Sequence, residues 1–552
     1  MKSLQELEEF FKKDYESNSS SITEFKKALE YYHAEQLPSD VVSITKERGQ
    51  IPLSENIFKT IVSSYLGYKT QSIQEVKVSG RQQEDKALAF LLNDILKVFS
   101  QSELYDREIV KRDLDLILGM GVMEIWITQD KEGDMEIELR NIPPQSFIID
   151  KYSVDKNALD ARRFHRLFDM SLEEAKEQLG DKNFESYDDG TYEKRVKVVE
   201  SWFLESGSWN RYIWAFGNEV YLFEKQPFLN NEHPFIIAKN NIDHKGKWYG
   251  IFRNIKPLQD YINFAEIRMG NMLGSFKAFY EEDAVINQEE FVQSASLDNS
   301  FTPVRSGGLD KIKIIENRSD IAVLSQKVNE KRQLMKLISG INDEILGGGG
   351  NRQSAAAFMQ KRDSGLMSLQ DYLKVSDDMD KAIFKKAISF IQNYFTKKQV
   401  FKIVDKKVGE RYFEINTNND NKIRIGKFDL EYKTTLKMLG REERFSHWSE
   451  MIKTIASVNP ALISGLLPAM LKDTESPIAL EVEELIQNLN EQQAQMQNPT
   501  QDLALQLELQ EKQAKIEESL AKARKYNAQG ILAQEISANN PKSATKEGID
   551  LR

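Results

Sequence analysis

PLQDYINFAEIRMGNMLGSFKAF, residues 257–279, is the stretch on which the architecture turns. Leu258, Ile262, Ala265, Met269, Met272, Phe276 and Phe279 alternate at intervals of four and three, the pattern of a helix with one continuous apolar seam. Pro257 suits a first helical turn, so the spacing predicts a rod beginning there, on the order of 33 Å long at 1.5 Å per residue. A second rod is predicted from about Ile321 to Leu346, with Leu324, Val328, Met335, Ile338 and Ile345 on one side. Between the rods, residues 283–317 are rich in turn formers and carry one short strand, KIKII at 311–315.

After the second rod comes ILGGGGNRQSAAAFMQKR, residues 345–362. A phosphate-binding loop needs G-x-x-x-x-G-K-[ST] after a buried strand. Counted from Gly347, the second glycine position holds Arg352, the lysine position holds Gln353, and only Ser354 conforms. The preceding KLISGINDEI is helical in character, so context fails as well. Gly347, Gly348, Gly349 and Gly350, with Asn351, Arg352 and Gln353, read instead as a conformationally free break between two helices. The segment beyond, 354–398, reads as a longer helix along Leu369, Leu373, Met379, Ile383, Ala387, Ile391 and Tyr394.

Upstream, residues 1–250 mix both periods. Helices are expected over 1–35, twice within 57–99, and over 103–118, where a flexible GMG at 119–121 ends the last of them. VMEIWIT and MEIELRNI then alternate as paired strands, followed by strands at 146–150, 163–169, 196–205, 211–217 and 219–225. SLEEAKEQLG, 171–180, is a short helix whose Ser171 and Glu174 match a capping box. The fold class is α+β, because helices and strands do not alternate as a doubly wound parallel sheet requires. Strands return at 399–440; residues 441–536 read as helical, and 537–552 as a flexible tail.

Composition removes several function classes. The chain has no cysteine, which excludes thiolate metal sites and cysteine nucleophiles. His33, His165, His233, His244 and His447 are scattered, no pair has ligand spacing, and His165 reads as a structural strand histidine. No cofactor or metal motif is present, and no G-x-S-x-G. A net charge of −11 argues against a surface that coats nucleic acid, so contact with DNA must be local. Lys327, Lys331, Arg332 and Lys336 recur along one face of the second rod; they are either a salt-bridged, solvated side or the lining of something. No stretch approaches the ~20 apolar residues that cross a bilayer, and the N-terminus shows no signal segment, so an aqueous, cytoplasm-like setting is expected.

An α+β block, a rod, a small insertion, a second rod, a loop and a long helix follow one another in the order found in phage portal proteins. The chain resembles that family, most closely the portals of short-tailed phages. The resemblance is carried by NIFKTIVSSYLGY, DREIVKRDLDLILGMGVMEI, RNIPPQSFIIDKYSVDKNALDARRF, WYGIFRNIKPLQDYINFAEIRMGN, SAAAFMQKRDSG and GKFDLEYKTTLKMLGREERFSHW, in that order along the chain. It departs from the family where SAAA replaces a Ser-Gly pairing after the glycines, and where the glycine run is long.

The resemblance implies a non-enzymatic homo-oligomeric ring of about twelve subunits at one capsid vertex, assembled in the host cytoplasm, through which double-stranded DNA enters and leaves without sequence preference. In those terms residues 1–250 with 399–440 are the wing, 251–282 and 318–346 the stem helices, 283–317 the clip and 347–353 the tunnel loop. Residues 354–398 form a long wing or crown helix, and 441–536 the crown. Lys327, Lys331, Arg332 and Lys336 become channel-facing candidates, and Arg305, Lys311 and Lys313 of the clip become candidate contacts for terminase or tail adaptor. The major capsid protein, the terminase large subunit and a head-tail adaptor are the implied partners, with no membrane. The apolar seam of the first rod is expected to find its neighbour in the next subunit. The alternatives are a helical scaffold or head-tail adaptor, which the large α+β block disfavours, and a nucleotide-driven enzyme, which the missing phosphate loop disfavours.

Overall fold

The computed structural model describes residues 1–47, 51–71, 73–80, 86–129, 134–182, 184–188, 190, 193–216, 219–273, 277–295, 301–315, 318–341, 355–396, 399–405, 409–415, 428–435, 448–455, 466 and 470. The chain starts with helices α1 (Leu4–Tyr32), α2 (Ser39–Glu47) and α3 (Ile57–Gln71), runs through strand β1 (Ile73–Gly80), and continues as α4 (Lys86–Ser100) and α5 (Glu103–Leu118). Strands β2 (Met120–Gln129), β3 (Met135–Asn141), β4 (Phe147–Ile149) and β5 (Arg163–Ser171) precede α6 (Leu172–Leu179). Then come β6 (Ser186–Asp188), β7 (Lys194–Glu205), β8 (Ser208–Trp214), β9 (Val220–Lys225), β10 (Phe235–Lys239), β11 (Asn241–Ile242) and β12 (Trp248–Tyr249). The rest comprises α7 (Phe252–Leu273), β13 (Lys277–Tyr280), α8 (Gln288–Ala295), β14 (Ile312–Ile315), α9 (Arg318–Ser339), α10 (Ala355–Tyr394), β15 (Gln399–Asp405), β16 (Gly409–Ile415) and β17 (Phe428–Thr435). The fold is α+β, as the sequence predicts.

The chain divides into two compact units, Met1–Leu436 and Lys437–Arg552. In the second, the described residues show a helical segment over 448–455 and helical positions at 466 and 470; the remainder of the expected crown and the whole tail lie outside the described residues.

The first unit is layered. Its largest sheet has the order β4-β5-β7-β8-β9, with β6 pairing on β7, and every described pairing is antiparallel. β7 is buried from Val198 to Phe203 on both faces, because each face is covered by a different layer. On one side α1 lays Phe10 against Phe203 and Phe11 against His165 and Trp214. On the other, Trp202 and Phe164 meet Phe235 of a three-stranded sheet ordered β10-β2-β3. α10 follows beyond that sheet, and Phe390 meets Phe228 at 5.1 Å. β17 pairs with β1 in the register Ile73↔Thr435 to Gly80↔Phe428, which joins the late strands to the N-terminal block.

Three local expectations change. GMG at 119–121 is close-packed and not a flexible stop: a Cβ on Gly119 would lie 2.6 Å from the Trp248 ring, and one on Gly121 would lie 3.2 Å from Arg112 and Met379 side-chain atoms. The first rod starts at Phe252 and not at Pro257, and ends at Leu273, so Phe279 belongs to β13 and not to the seam. The second rod stops at Ser339, because Gly340 takes φ +69°, the left-handed conformation that closes a helix. Phe276 and Ile345 lie outside the described residues.

Candidate functional site: the helical hairpin and its attachments

α7 and α9 each have 22 residues, about 33 Å at the helical rise. β13 and β14 pair antiparallel beyond them, from Lys277↔Ile315 to Tyr280↔Ile312, so one helix runs out and the other returns beside it. Along α7, Ile262, Ala265 and Met269 are buried, and Leu258 packs against the same core as Val328, Met335, Ile321 and Leu324 of α9. The seam therefore closes within its own subunit, a correction to the expectation that it waits for a neighbour. Met272 is half-buried. The apolar side chains left in solvent are others: Tyr261, Phe264 and Leu273 on α7, with Val323, Leu337 and Ile338 on α9. Ile338 was expected on the packed side; the buried positions that follow Met335 are Ser339 and Ile341.

A buried polar clamp, which the sequence reading missed, fastens the hairpin to the α+β block. Gln259 is wholly buried; its carbonyl accepts the Phe58 amide at 3.1 Å, while its amide donates to the Glu55 carbonyl and, at 3.1 Å, to Asn263 Oδ1. Asn263 Oδ1 also accepts the Glu55 amide at 3.1 Å, and its Nδ2 donates to Gln36 Oε1 at 2.7 Å. Phe58 lies in the first turn of α3, whose leading N–H groups have no helical acceptor; α7 supplies one from the side. The apolar period hid this clamp, because amides at i and i+4 on a seam look like interruptions of it.

The cation row on α9 is largely committed within the subunit. Arg332 holds Glu55 at 2.6 Å and Glu266 at 2.7 Å, tying both rods to the segment before α3. Lys327 pairs with Glu330 at 2.8 Å, and Lys331 lies 5.7 Å from the Tyr261 ring centroid. In the small insertion, Lys311 holds Glu281 at 3.0 Å and also pairs with Asp283, whereas Arg305 and Lys313 are exposed. Among the described residues of that insertion Ala284 and Val285 are buried and Phe291 meets Tyr280 at 5.1 Å, but Ile286, Val292, Leu309 and Phe301, the last 96% exposed, face solvent. The glycine run Gly347–Gly350 with Asn351, Arg352 and Gln353 lies outside the described residues.

One constellation looks enzymatic. His165 Nδ1 is 2.8 Å from Ser201 Oγ and its Nε2 is 3.2 Å from Asp14 Oδ2, a Ser-His-Asp arrangement. All three residues are 0% exposed, so no substrate reaches Ser201. Ser201 Oγ also accepts the Trp214 indole N–H at 2.8 Å, which directs its own proton to His165 Nδ1 and places the ring proton on Nε2, facing Asp14. Burial holds the His165 pKa below its ordinary value, so the ring is neutral. Burial works against the Asp14 carboxylate, but hydrogen bonds from His165 and Arg163 outweigh it and leave its pKa lowered. The group clamps α1 onto the large sheet. Among the described residues no three His, Cys, Asp or Glu side chains converge to hold a metal, and no helix is long and apolar enough to cross a membrane.

A second buried group joins α10 to α3 and α5. Asp380 accepts Arg112 at 2.7 Å and Lys69 at 2.9 Å; Lys69 also reaches Asp377 at 2.7 Å, and Arg112 reaches Asp113 at 2.8 Å. Ser376 donates to Asp113 at 3.0 Å, and the Tyr372 hydroxyl donates to the Asp113 carbonyl at 3.1 Å. Nothing in periodicity marks this group, because its members come from three helices far apart in the chain.

A sequence profile described as "Phage P22-like portal protein" matches residues 8–208 and 204–526. The chain is also 48% identical over 540 residues to a protein named "Portal protein" from Helicobacter pylori bacteriophage KHP30, with 96% of this chain and 90% of that one covered.

Proposed function

The chain belongs to the phage P22-like portal protein family, and on that premise we propose that it forms a closed ring of about twelve copies at one capsid vertex, a channel for double-stranded DNA during packaging and ejection. The observation that carries this reading is the hairpin itself: two 22-residue helices clamped to an α+β block, ending in an insertion whose described residues leave Ile286, Val292, Phe301 and Leu309 in solvent. Because the seam closes internally, the ring contact falls to the exposed apolar residues, chiefly Tyr261 and Phe264 of α7 and Val323 and Leu337 of α9. A heterologous contact of that kind closes into a ring when its rotation allows.

In this reading residues 1–250 with 399–440 are the wing, the hairpin is the stem, and the insertion is the clip that meets terminase during packaging and an adaptor afterwards. Exposed Arg305 and Lys313 are better placed for that docking than Lys311, whose charge two carboxylates already neutralise. Arg332 serves the stem-to-wing joint and Lys327 pairs with Glu330; Lys331 and Lys336 are the row's proposed guides for DNA phosphates past a wall of net negative charge. Gly347 to Gln353 form the loop that narrows the channel, and the capsid protein surrounds the wing.

Electron-microscope images of the purified protein test the proposal. Rings of about twelve-fold symmetry with a central hole are expected; a stable monomer or an open filament at high concentration rejects it. Phe264→Glu, on an exposed position, should yield folded monomers. Arg352→Ala with Gln353→Ala should leave rings intact and impair DNA packaging or retention.

A further inference from the structure

We propose that a small cavity walled by Lys151, Lys239, Lys245 and Lys247 in the α+β block is a seat for a phosphate group, taken either as the free ion or from the backbone of DNA. The cavity measures about 30 Å³, room for one phosphate oxygen in the place of a water. Two turns build it on the middle of α1. The loop between β4 and β5 brings Lys151, Ser153 and Val154, and the turn between β11 and β12 brings Lys245, Gly246 and Lys247. These turns are in contact, since a Cβ on Gly246 would lie 3.4 Å from a Val154 methyl.

Charge decides what such a wall can hold. Lys239 is 2% exposed, and its ammonium donates to the Ser153 carbonyl, the Ser153 hydroxyl and the Asp155 carbonyl at 3.3, 3.2 and 2.9 Å. Lys247 donates to the carbonyl and the hydroxyl of Ser17, another residue of the wall. All of these acceptors are neutral, and among the described residues neither ammonium has a carboxylate at ion-pair distance. Burial pulls the Lys239 pKa below its ordinary 10.5, with Asp160 and Asp155 opposing from beyond contact. A buried ammonium with no anion beside it is costly, and an oxyanion that can accept its protons offsets that cost.

The other polar groups of the wall are already committed. Asn18 donates to the Asp14 and Ile149 carbonyls and accepts the Trp248 indole N–H. Asp150, the one carboxylate among the described residues of the wall, pairs with Arg163 and accepts the Tyr152 and Arg162 amides. The Lys245 and Lys247 amides go to Asp243, and the Ser153 hydroxyl gives its proton to Asp160 at 2.7 Å. What remains is positive. The two Lys239 contacts to Ser153 are long and converge on one residue, so a single proton serves both and another can turn to the cavity. Lys151 and Lys245 are exposed at the rim with no described ion pair. One phosphate oxygen pointing inward meets Lys239 while the outer oxygens meet the rim pair. This seat belongs to the α+β block and does not depend on the ring proposal.

Inorganic phosphate is the probe, titrated into the full-length protein near neutral pH at an ionic strength held constant with chloride. The readouts are the thermal unfolding midpoint, which a ligand of the folded state raises, and the phosphorus NMR line width of the added phosphate. Wild type should show a saturable rise beyond the chloride control, which a surface of net charge −11 would not give by itself. Lys151→Ala combined with Lys245→Ala, at two exposed positions, should fold normally and weaken the apparent affinity about tenfold, near the value of one charge-assisted hydrogen bond. Lys239→Met should abolish the response; if that variant does not fold, the rim pair decides alone. Short duplex DNA added to the phosphate complex then assigns the source: release of phosphate marks a DNA phosphodiester as the occupant, and retention marks the free ion. A wild type that responds to phosphate no more than to chloride, or either variant responding as strongly as wild type, overturns the proposal.

Discussion

Gln259→Leu isolates the clamp that holds the helical hairpin on the α+β block. Leucine fills nearly the same space, so the change leaves packing alone and removes hydrogen bonds only. The Phe58 amide and the Glu55 carbonyl lose their Gln259 partner, and Asn263 loses a donor to an oxygen that keeps its bond from the Glu55 amide. A buried backbone group left unpaired costs about 1–3 kcal/mol. Two such groups, partly relieved by the remaining Asn263 contact, set the expected loss at roughly 2–4 kcal/mol. The assay is denaturant unfolding of the full-length protein with amide exchange at the start of α3. Gln326→Leu is the control, because Gln326 is exposed on α9 and its one described bond, to Glu330, is a long 3.4 Å. The reasoning expects faster exchange at Phe58 and its neighbours in the first variant alone. If Gln259→Leu unfolds within about 0.5 kcal/mol of wild type, the range of ordinary surface changes, and Phe58 stays protected, the clamp does not hold the hairpin.

Other perturbations read other joints. Gly250→Ala would place a Cβ 2.2 Å from the Leu118 carbonyl carbon, a backbone collision that nothing nearby can relieve, so soluble expression should fail. Gly67→Ala, in α3 with nothing within 4 Å of the new atom, should instead stabilise the fold by about 0.5–1 kcal/mol, read as a higher unfolding midpoint. Arg332→Ala severs half-exposed pairs to Glu55 and Glu266 and should cost only about 1 kcal/mol, measurable as a small shift in denaturant midpoint, whereas Lys327→Ala should leave that midpoint unchanged. Burial depresses the pKa of His165 and His233 below the ordinary 6.5, so the unfolded chain takes up more protons on acidification. Stability should therefore be full above about pH 6.5 and fall as pH drops below it, with His233→Asn flattening part of that slope in a midpoint-versus-pH series.

Much of the fold could be read without coordinates, for a definite reason. Helix and strand differ in apolar period, and the period is written in the sequence: α1, α5, α10, the β2–β3 pair, β5 and β7 through β9 all stand where alternation or helical spacing puts them. Ser171 caps α6 by accepting the Glu174 amide, as its spacing predicts, because a cap is settled within four residues. The order of block, rod, insertion and rod was likewise enough to suggest the family before any comparison.

What the sequence alone could not settle is which surface meets which. The period of α7 shows that a seam exists, but only the fold shows that α9 covers it, which moves the expected ring contact to Tyr261 and Phe264. GMG reads as flexible until Trp248, Arg112 and Met379 are seen to occupy the space a side chain would need. β1, whose VKVSG reads as a break between two helices, is fixed by β17, some 350 residues later. Polar groups follow the same rule: Gln259, Arg112, Asp380 and the Asp14–His165–Ser201 triad each depend on partners distant in the chain, and burial, not residue type, decides that they clamp rather than catalyse. Local order is encoded by neighbours along the chain; the joints between elements depend on long-range contacts that exist only once the chain has folded.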